Sequence, residues 1–170
     1  IILLKFYKMN IKKLALLSIL FSLLFLSCNK DQANDSHTLT SPSGDISVNF
    51  FLDQYGAPHY TVSHKENLVI DSSSMSFEFK EAAHLKSGFE IIEIEVNEIE
   101  EQWEMPWGEQ RTVHNNFTES TYLLKETGDQ KRSLKIIFRA YDDGIAFRYE
   151  FPEQEGIDSL IITDELSEFN

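Results

Sequence analysis

The side chains of this sequence that could do chemistry are its histidines, carboxylates and serines. His59 and His64 are five residues apart, so in a strand they would point to opposite faces, and no other histidine has the spacing of a metal ligand. There is no glycine-rich phosphate loop and no glycine-flanked serine nucleophile. Nothing in the spacing of the many carboxylates pairs two of them as acid and base. We therefore predict no catalytic residue and expect the five histidines to be surface or edge residues: His37, His59, His64, His84 and His114.

Two tryptophans, Trp103 and Trp107, stand four residues apart, with Pro106 between them and Gly108 after them. Proline and glycine at these positions predict a loop or an irregular strand end. Exposed aromatic rings in loops can stack on sugar faces, and acidic neighbours can accept hydrogen bonds from sugar hydroxyls. Trp103 and Trp107 are therefore candidate carbohydrate contacts. The alternative is that both rings plug one end of the fold, because tryptophan is mostly buried.

Cys28 is the single cysteine, so it cannot form an internal disulfide. It follows a basic stretch at 9–13 and an apolar run over 14–26, which as a helix would rise about 20 Å against a hydrocarbon core of about 30 Å. This pattern predicts a secretory signal and not a membrane-spanning anchor. With Ser27 before it, Cys28 also resembles the lipidated cysteine of a bacterial lipobox. The alternative is a fortuitous cysteine at the end of a cleaved signal.

The chain therefore divides into three parts. We expect an upstream extension and signal peptide over residues 1–28, a flexible tether over 29–40 and one folded domain over 41–170. Acyl chains on Cys28 would anchor the protein to the outer membrane of a Gram-negative bacterium, and both the periplasmic and the outward-facing placement stay open. The net charge of -13, from 28 acidic and 15 basic residues, argues against nucleic acid as a partner.

From residue 45 onward, apolar side chains recur with period two, which is typical of strands that bury one face. In the strictly alternating stretch 92–96, the carboxylates must then point to solvent or to a partner. About ten short strands, separated by turn signals and without a helical stretch, predict an all-β fold, an antiparallel β-sandwich. The runs are 46–52, 60–62, 68–70, 75–79, 92–96, 134–140, 145–151 and 160–162.

One of the turns carries two adjacent carboxylates, Asp142 and Asp143, followed by Gly144. The pair could bind a metal ion. The simpler interpretation is a tight connection between two core strands, with Gly144 at a position that needs a positive φ.

Five motifs follow one another along the chain, at 41–44 (SPSG), 106–109 (PWGE), 115–119 (NNFTE), 138–149 (FRAYDDGIAFRY) and 164–169 (DELSEF). Their types and order resemble the N-terminal domain of glycoside hydrolase family 97 over residues 38–170. The segment from Arg139 to Tyr149 is the most specific part of the resemblance.

The resemblance implies a β-supersandwich that precedes a catalytic barrel in a secreted, calcium-dependent α-glucosidase or α-galactosidase. Its partners would be that barrel and an α-linked oligosaccharide. The catalytic carboxylates of the family lie in the barrel, which is absent up to Asn170, so we expect a truncated front piece that is inactive by itself. The alternative is a stand-alone, lipid-anchored carbohydrate-binding lipoprotein that uses Trp103 and Trp107. The sugar and the stereochemical outcome stay open.

The resemblance also implies one calcium ligand. Members of the family carry a glutamate near the end of the sandwich domain that reaches the calcium of the active site. It matches Glu165 here, with Glu168 as the second choice. Calcium takes six to eight oxygen ligands, so one carboxylate cannot hold it alone. We therefore expect Glu165 to be an ordinary exposed acid in the isolated chain.

Overall fold

The computed structural model describes residues 36–109, 111–155, 157 and 159–170. Cys28, the expected signal and most of the expected tether lie outside these ranges. Within them the chain forms strands and no helix, and hence no helix long and apolar enough to span a membrane. The nine strands are β1 (His37–Thr40), β2 (Ile46–Leu52), β3 (Pro58–His64), β4 (Asn67–Phe79), β5 (Phe89–Glu104), β6 (Thr112–Glu126), β7 (Ser133–Tyr141), β8 (Gly144–Glu150) and β9 (Ile162–Ser167).

The strands form two antiparallel sheets. One sheet has the order β1-β2-β3-β4-β9 and the other the order β5-β6-β7-β8. Alternate side chains of β2, β3, β7 and the proximal part of β6 are buried between the sheets, because successive side chains of a strand point to opposite faces. The prediction of an all-β antiparallel sandwich is therefore confirmed.

The core between the sheets is rich in aromatic rings. Phe50 of β2 and Tyr122 of β6 come from different sheets, and their ring centroids lie 4.3 Å apart. Tyr60 of β3 packs in the same way on Phe138 of β7, at 5.5 Å. All four residues are fully buried. Burial of each such side chain stabilises the fold by about 1.5–3 kcal/mol, so these cross-sheet contacts hold the two sheets together.

The sandwich begins earlier than the sequence suggested. We expected the tether to extend to residue 40, but His37–Thr40 forms β1 and pairs with β2, with Leu39 opposite Val48. Leu39 is only 1% exposed. Because one buried leucine among polar residues gives no alternating pattern, this strand had no signal in the sequence.

The turn between β7 and β8 also differs from its prediction. Tyr141 pairs with Gly144 across it, so the chain reverses at Asp142 and Asp143. Gly144 is already the first residue of β8 and does not have the positive φ that we expected. In the described ranges the glycines with positive φ are Gly44, Gly56, Gly88 and Gly108.

Candidate functional site

Glu165 lies in β9, the edge strand of the five-stranded sheet, directly opposite Phe77 of β4. Ser167, two residues further on, lies opposite Met75. Directly paired residues of antiparallel strands point to the same face of the sheet. Since Met75 and Phe77 are buried in the core, Glu165 and Ser167 face the interior side of the sandwich. Glu165 is nevertheless exposed, because it stands at the open edge of that interior.

This open edge, which we call the aromatic seam, is a hollow of about 370 Å³ where β8 and β9 approach each other. Tyr149 of β8 packs its ring edge on Phe77, with centroids 4.6 Å apart, and Phe151 packs on Phe77 at 5.3 Å. No described strand continues either sheet beyond β8 or β9, so the Phe147, Tyr149 and Phe151 rings are only half-buried, whereas Phe77 is buried. The seam is lined by Phe77, Phe147, Arg148, Tyr149, Phe151, Ile162 and Glu165.

A short chain of hydrogen bonds ends on Glu165. The Ser167 hydroxyl donates to Glu165 Oε1 at 2.8 Å. The Tyr149 hydroxyl lies 2.5 Å from Ser167 Oγ. Burial raises the pKa of Tyr149 well above its ordinary value, so this phenol stays neutral and able to donate.

Glu168, the second choice for a metal ligand, is engaged differently. Its Oε2 accepts the backbone N–H of Ser74 at 3.0 Å and the side-chain amide of Asn170 at 3.4 Å. The bond from Ser74 lowers the pKa of Glu168. This carboxylate therefore fastens the segment directly after β9 to β4, whereas Glu165 stands at the seam.

Glu165 has the chemistry of a single calcium ligand. A carboxylate is a hard oxygen ligand of the kind that calcium prefers, and Glu165 is an exposed one. In the ranges that the structure describes, no three histidine, cysteine, aspartate or glutamate side chains come together as a metal-binding group. Glu165 can thus be one ligand among several supplied from elsewhere.

The two tryptophans lie on a long arm. Strand β5 pairs with β6 from Phe89 to Glu104, but β7 covers β6 only from Thr118 onward, so the distal part of this hairpin is two-stranded. Trp103 lies in β5 and is 44% exposed, and Trp107 lies at the tip and is 82% exposed. The alternative that both rings plug one end of the sandwich is therefore wrong, because the arm extends past the core that would have covered them.

The Asp142 carboxylate supports a turn. Its Oδ1 accepts the backbone N–H of Ser43 at 2.8 Å, which joins the β7–β8 turn to the β1–β2 turn. This bond lowers the pKa of Asp142. Because no three possible metal ligands come together in the described ranges, the simpler structural interpretation of the two aspartates is the better one.

The histidines are dispersed over the fold. His37 and His59 are half-buried, and the other three are exposed. His37 Nδ1 lies 2.8 Å from the Tyr122 hydroxyl, and His84 Nδ1 accepts the backbone N–H of Phe79 at 3.2 Å. These contacts give two of the histidines structural partners.

Residues 39–170 match the family described as Glycosyl-hydrolase 97 N-terminal. This match extends over more than half of the chain. The chain belongs to this family.

Solved structures of relatives agree with this membership. A glycoside hydrolase family 97 enzyme from Pseudoalteromonas sp. strain K8, solved in complex with panose and in complex with acarbose, superimposes on this family 97 domain with a TM-score of 0.74 and 36% sequence identity. Each match covers 78% of this chain and 20% of that enzyme. A β-arabinopyranosidase with a TM-score of 0.69 and 23% identity, matched over 79% of this chain and 21% of its own, shares the fold. The chain thus spans about a fifth of the length of the enzymes that it matches.

Within this family 97 domain, the predicted site residues are not brought together. Glu165 stands at the seam next to β8, whereas Trp103 lies in β5, at the opposite edge of the four-stranded sheet. Sequence reasoning missed Tyr149 and Ser167 as partners of Glu165. Ser167 had a local signal, since residues two apart in a strand share a face, but nothing in the sequence pairs β9 with Tyr149 of β8.

Proposed function

We propose that this chain is the front domain of a secreted α-glycosidase, an α-glucosidase or α-galactosidase that takes part in the breakdown of oligosaccharides. The proposal rests on the family match over residues 39–170, together with 36% identity to an enzyme solved with panose and acarbose. Panose is an α-linked oligosaccharide of glucose, which favours an α-glucoside as substrate. The catalytic carboxylates would come from a barrel outside this chain.

The chain's own contribution would be made at the aromatic seam. We propose that the seam packs on the barrel, which is consistent with the exposed apolar side chains in and around it: Ile161, Ile162 and Phe169 are 55%, 47% and 66% exposed. Exposed apolar groups of this kind typically mark a contact surface.

Glu165 would supply one oxygen ligand to a calcium ion that is completed by carboxylates of the barrel. When bound, the calcium would supply a fixed positive charge beside the sugar. The task of Glu165 is to bring a negatively charged oxygen to the domain boundary and thereby to link the position of this domain to the metal. The proposed lipid on Cys28 would hold the enzyme at the outer membrane.

The decisive test is to read the DNA downstream of the Asn170 codon and to express the complete gene product. We expect a further open frame that encodes a barrel of about 250 residues. The product should release glucose from panose, lose this activity with a chelator and recover it with calcium. A stop codon with no barrel in any frame would contradict the proposal.

The metal role of Glu165 is tested separately in that product. Glu165→Gln should weaken calcium binding at least about tenfold, because a charged ligand is lost. Glu168→Gln is the matched control and should leave the affinity unchanged. If Glu168→Gln weakens calcium binding and Glu165→Gln does not, Glu168 is the ligand. If neither variant changes the affinity, neither glutamate is a ligand.

A second function is favoured by the exposure of Trp107. A stand-alone lipoprotein could bind glycans through the arm without hydrolysing them, by stacking of Trp103 and Trp107 on sugar rings. Calorimetric titration of the 170-residue chain with panose would detect such binding, and Trp107→Ala should abolish it. If the titration with panose gives no heat of binding, this alternative fails for that sugar class.

A further inference from the structure

The hydroxyls of Ser167 and Tyr149 form a chain that ends on the Glu165 carboxylate. We infer that Ser167 and Tyr149 are positioning residues that hold this carboxylate in the orientation needed for binding calcium. The inference rests on the proposed role of Glu165 as a calcium ligand. It assigns a task to the hydroxyl groups of Tyr149, in the seam, and Ser167, beside it, which neither strand pairing nor core packing requires.

Strand β9 places Glu165 and Ser167 side by side. Glu165 and Ser167 share one face of the strand because they are two residues apart and lie opposite Phe77 and Met75. Ser167 Oγ lies 2.8 Å from Glu165 Oε1, so it restrains one carboxylate oxygen. The other oxygen is the one that can bind a ligand outside the domain.

The protons of the two hydroxyls can be arranged in only one way. A serine hydroxyl has one proton, and a carboxylate can only accept. If Ser167 donates to Glu165, the 2.5 Å contact between Ser167 Oγ and the Tyr149 hydroxyl must use the tyrosine proton. The series of hydrogen bonds therefore runs in one direction, from the Tyr149 hydroxyl through Ser167 to Glu165. Hydrogen bonds in such a series strengthen one another.

Tyr149 is anchored by neighbouring aromatic rings. Its ring packs edge-on against Phe77 at 4.6 Å and against Phe147 at 5.7 Å, so it is fixed by the core. Tyr149 comes from β8 and Glu165 from β9, so the hydroxyl chain crosses from one sheet to the other. The position of the Glu165 carboxylate is therefore fixed relative to both sheets of the sandwich.

The test is calcium binding by the complete gene product, measured calorimetrically with calcium alone. Partners of metal ligands typically contribute 10–100-fold to metal affinity, so Ser167→Ala and Tyr149→Phe should each weaken calcium binding about tenfold or more. Ser167→Thr keeps the hydroxyl and should retain the affinity. In a Glu165→Gln background, Ser167→Ala should have no further effect.

Tyr60→Phe is the matched control. The Tyr60 hydroxyl also contacts the end of the β9 segment, but it donates to the backbone oxygen of Glu168, directly after β9, at 2.8 Å and has no hydrogen bond to Glu165. This variant should lose stability and keep its calcium affinity. If Tyr60→Phe weakens calcium binding as much as Tyr149→Phe does, the effect is general loosening of β9 and the inference is wrong.

The outcomes separate this inference from the proposed function. If Glu165→Gln leaves calcium binding unchanged, the proposed metal role fails and the inference fails with it. If Glu165→Gln weakens binding while Ser167→Ala and Tyr149→Phe do not, the metal role stands and the positioning role is overturned.

A second measurement needs no metal and uses the 170-residue chain. The urea midpoints of Tyr149→Phe, Ser167→Ala and the double variant form a cycle that tests the hydroxyl contact itself. The shift of the double variant should be smaller than the sum of the single shifts. Additive shifts would show that the two hydroxyls are not coupled in solution, which overturns the inference.

Discussion

At the scale of single residues, Gly56 joins the β2–β3 turn of one sheet to the start of β5 in the other. Its φ is 71°, and its carbonyl accepts the backbone N–H of Phe89 at 3.0 Å. A Cβ at this position would stand 2.6 Å from the Phe89 carbonyl oxygen. Gly56→Ala should therefore lower the free energy of unfolding by about 1–3 kcal/mol, measured by urea denaturation, since both the dihedral and the contact are unfavourable.

Gly144→Ala is the control for this prediction. Gly144 lacks a positive φ, and a Cβ there would meet no atom within 4 Å. Its effect should stay within about 0.5 kcal/mol. Equal losses at Gly56 and Gly144 would count against the close approach at Phe89.

Arg132, in the connection between β6 and β7, forms a buried ion pair with Glu126. It binds both carboxylate oxygens of Glu126, each at 2.7 Å, and the two side chains are only 5% and 12% exposed. Arg132→Met would leave the Glu126 charge buried without its partner. We expect a loss of about 3–5 kcal/mol in the free energy of unfolding, because an uncompensated buried charge is costly.

The exposed pair of Arg111 with Glu104 offers the comparison. These side chains are 81% and 67% exposed and lie 3.5 Å apart, so Arg111→Met should cost no more than about 1 kcal/mol. Urea denaturation of both variants at one ionic strength checks the difference. Similar losses in the two variants would show that burial does not govern the Arg132 pair.

At the scale of elements, the strands that sequence patterns predicted are those with apolar side chains at alternate positions. The stretch 46–52 and the stretch 134–140 have this pattern, and both are strands in the structure. Strand β6 was missed although it lies in the middle of its sheet. Its inward positions include Thr118 and Ser120, which are buried but polar, so the period of two disappears from the sequence.

The seam had even less of a signal. The seam forms because β9 pairs with β4 and not with β8, the strand before it in the chain. This pairing brings Glu165 toward Tyr149 of β8. Such long-range pairing cannot be obtained from local alternation. Only the resemblance to a family selected Glu165, and nothing local selected Tyr149.

The arm formed by the distal parts of β5 and β6 gives a prediction about fluorescence. Trp103 and Trp107 are the only tryptophans, so Trp103→Phe and Trp107→Phe each leave a single emitter. The emission of Trp107 should be quenched more by acrylamide than that of Trp103, because Trp107 is 82% exposed and Trp103 is 44% exposed. Stern–Volmer plots of the two variants measure this. Weak quenching in both would mean that the arm folds back on the sandwich.

At the scale of the whole molecule, the two sheets are held together by a core whose aromatic members include hydroxyl groups. Burial raises the pKa of Tyr122 to about 12, and burial also raises the pKa of Tyr149. A tyrosine in the unfolded chain titrates near 10. The folded state therefore keeps these protons over a range of pH in which the unfolded state has lost them.

This difference makes the sandwich sensitive to alkali. A raised pKa in the folded state gives stability that is fully present below pH 10 and is lost as the pH rises toward 12, and for Tyr122 the loss amounts to about 2–3 kcal/mol. Urea midpoints between pH 8 and pH 11.5 should fall more steeply for the natural chain than for Tyr122→Phe. Deprotonation of lysines makes the net charge of -13 more negative in both proteins, so this contribution cancels in the comparison.

Tyr55→Phe is the control for this prediction. The Tyr55 side chain is 70% exposed, so this variant should reproduce the steep natural profile. Parallel profiles for the natural chain and Tyr122→Phe would mean that the Tyr122 hydroxyl reaches solvent, and hence that the two sheets separate more easily than the cross-sheet ring contacts imply.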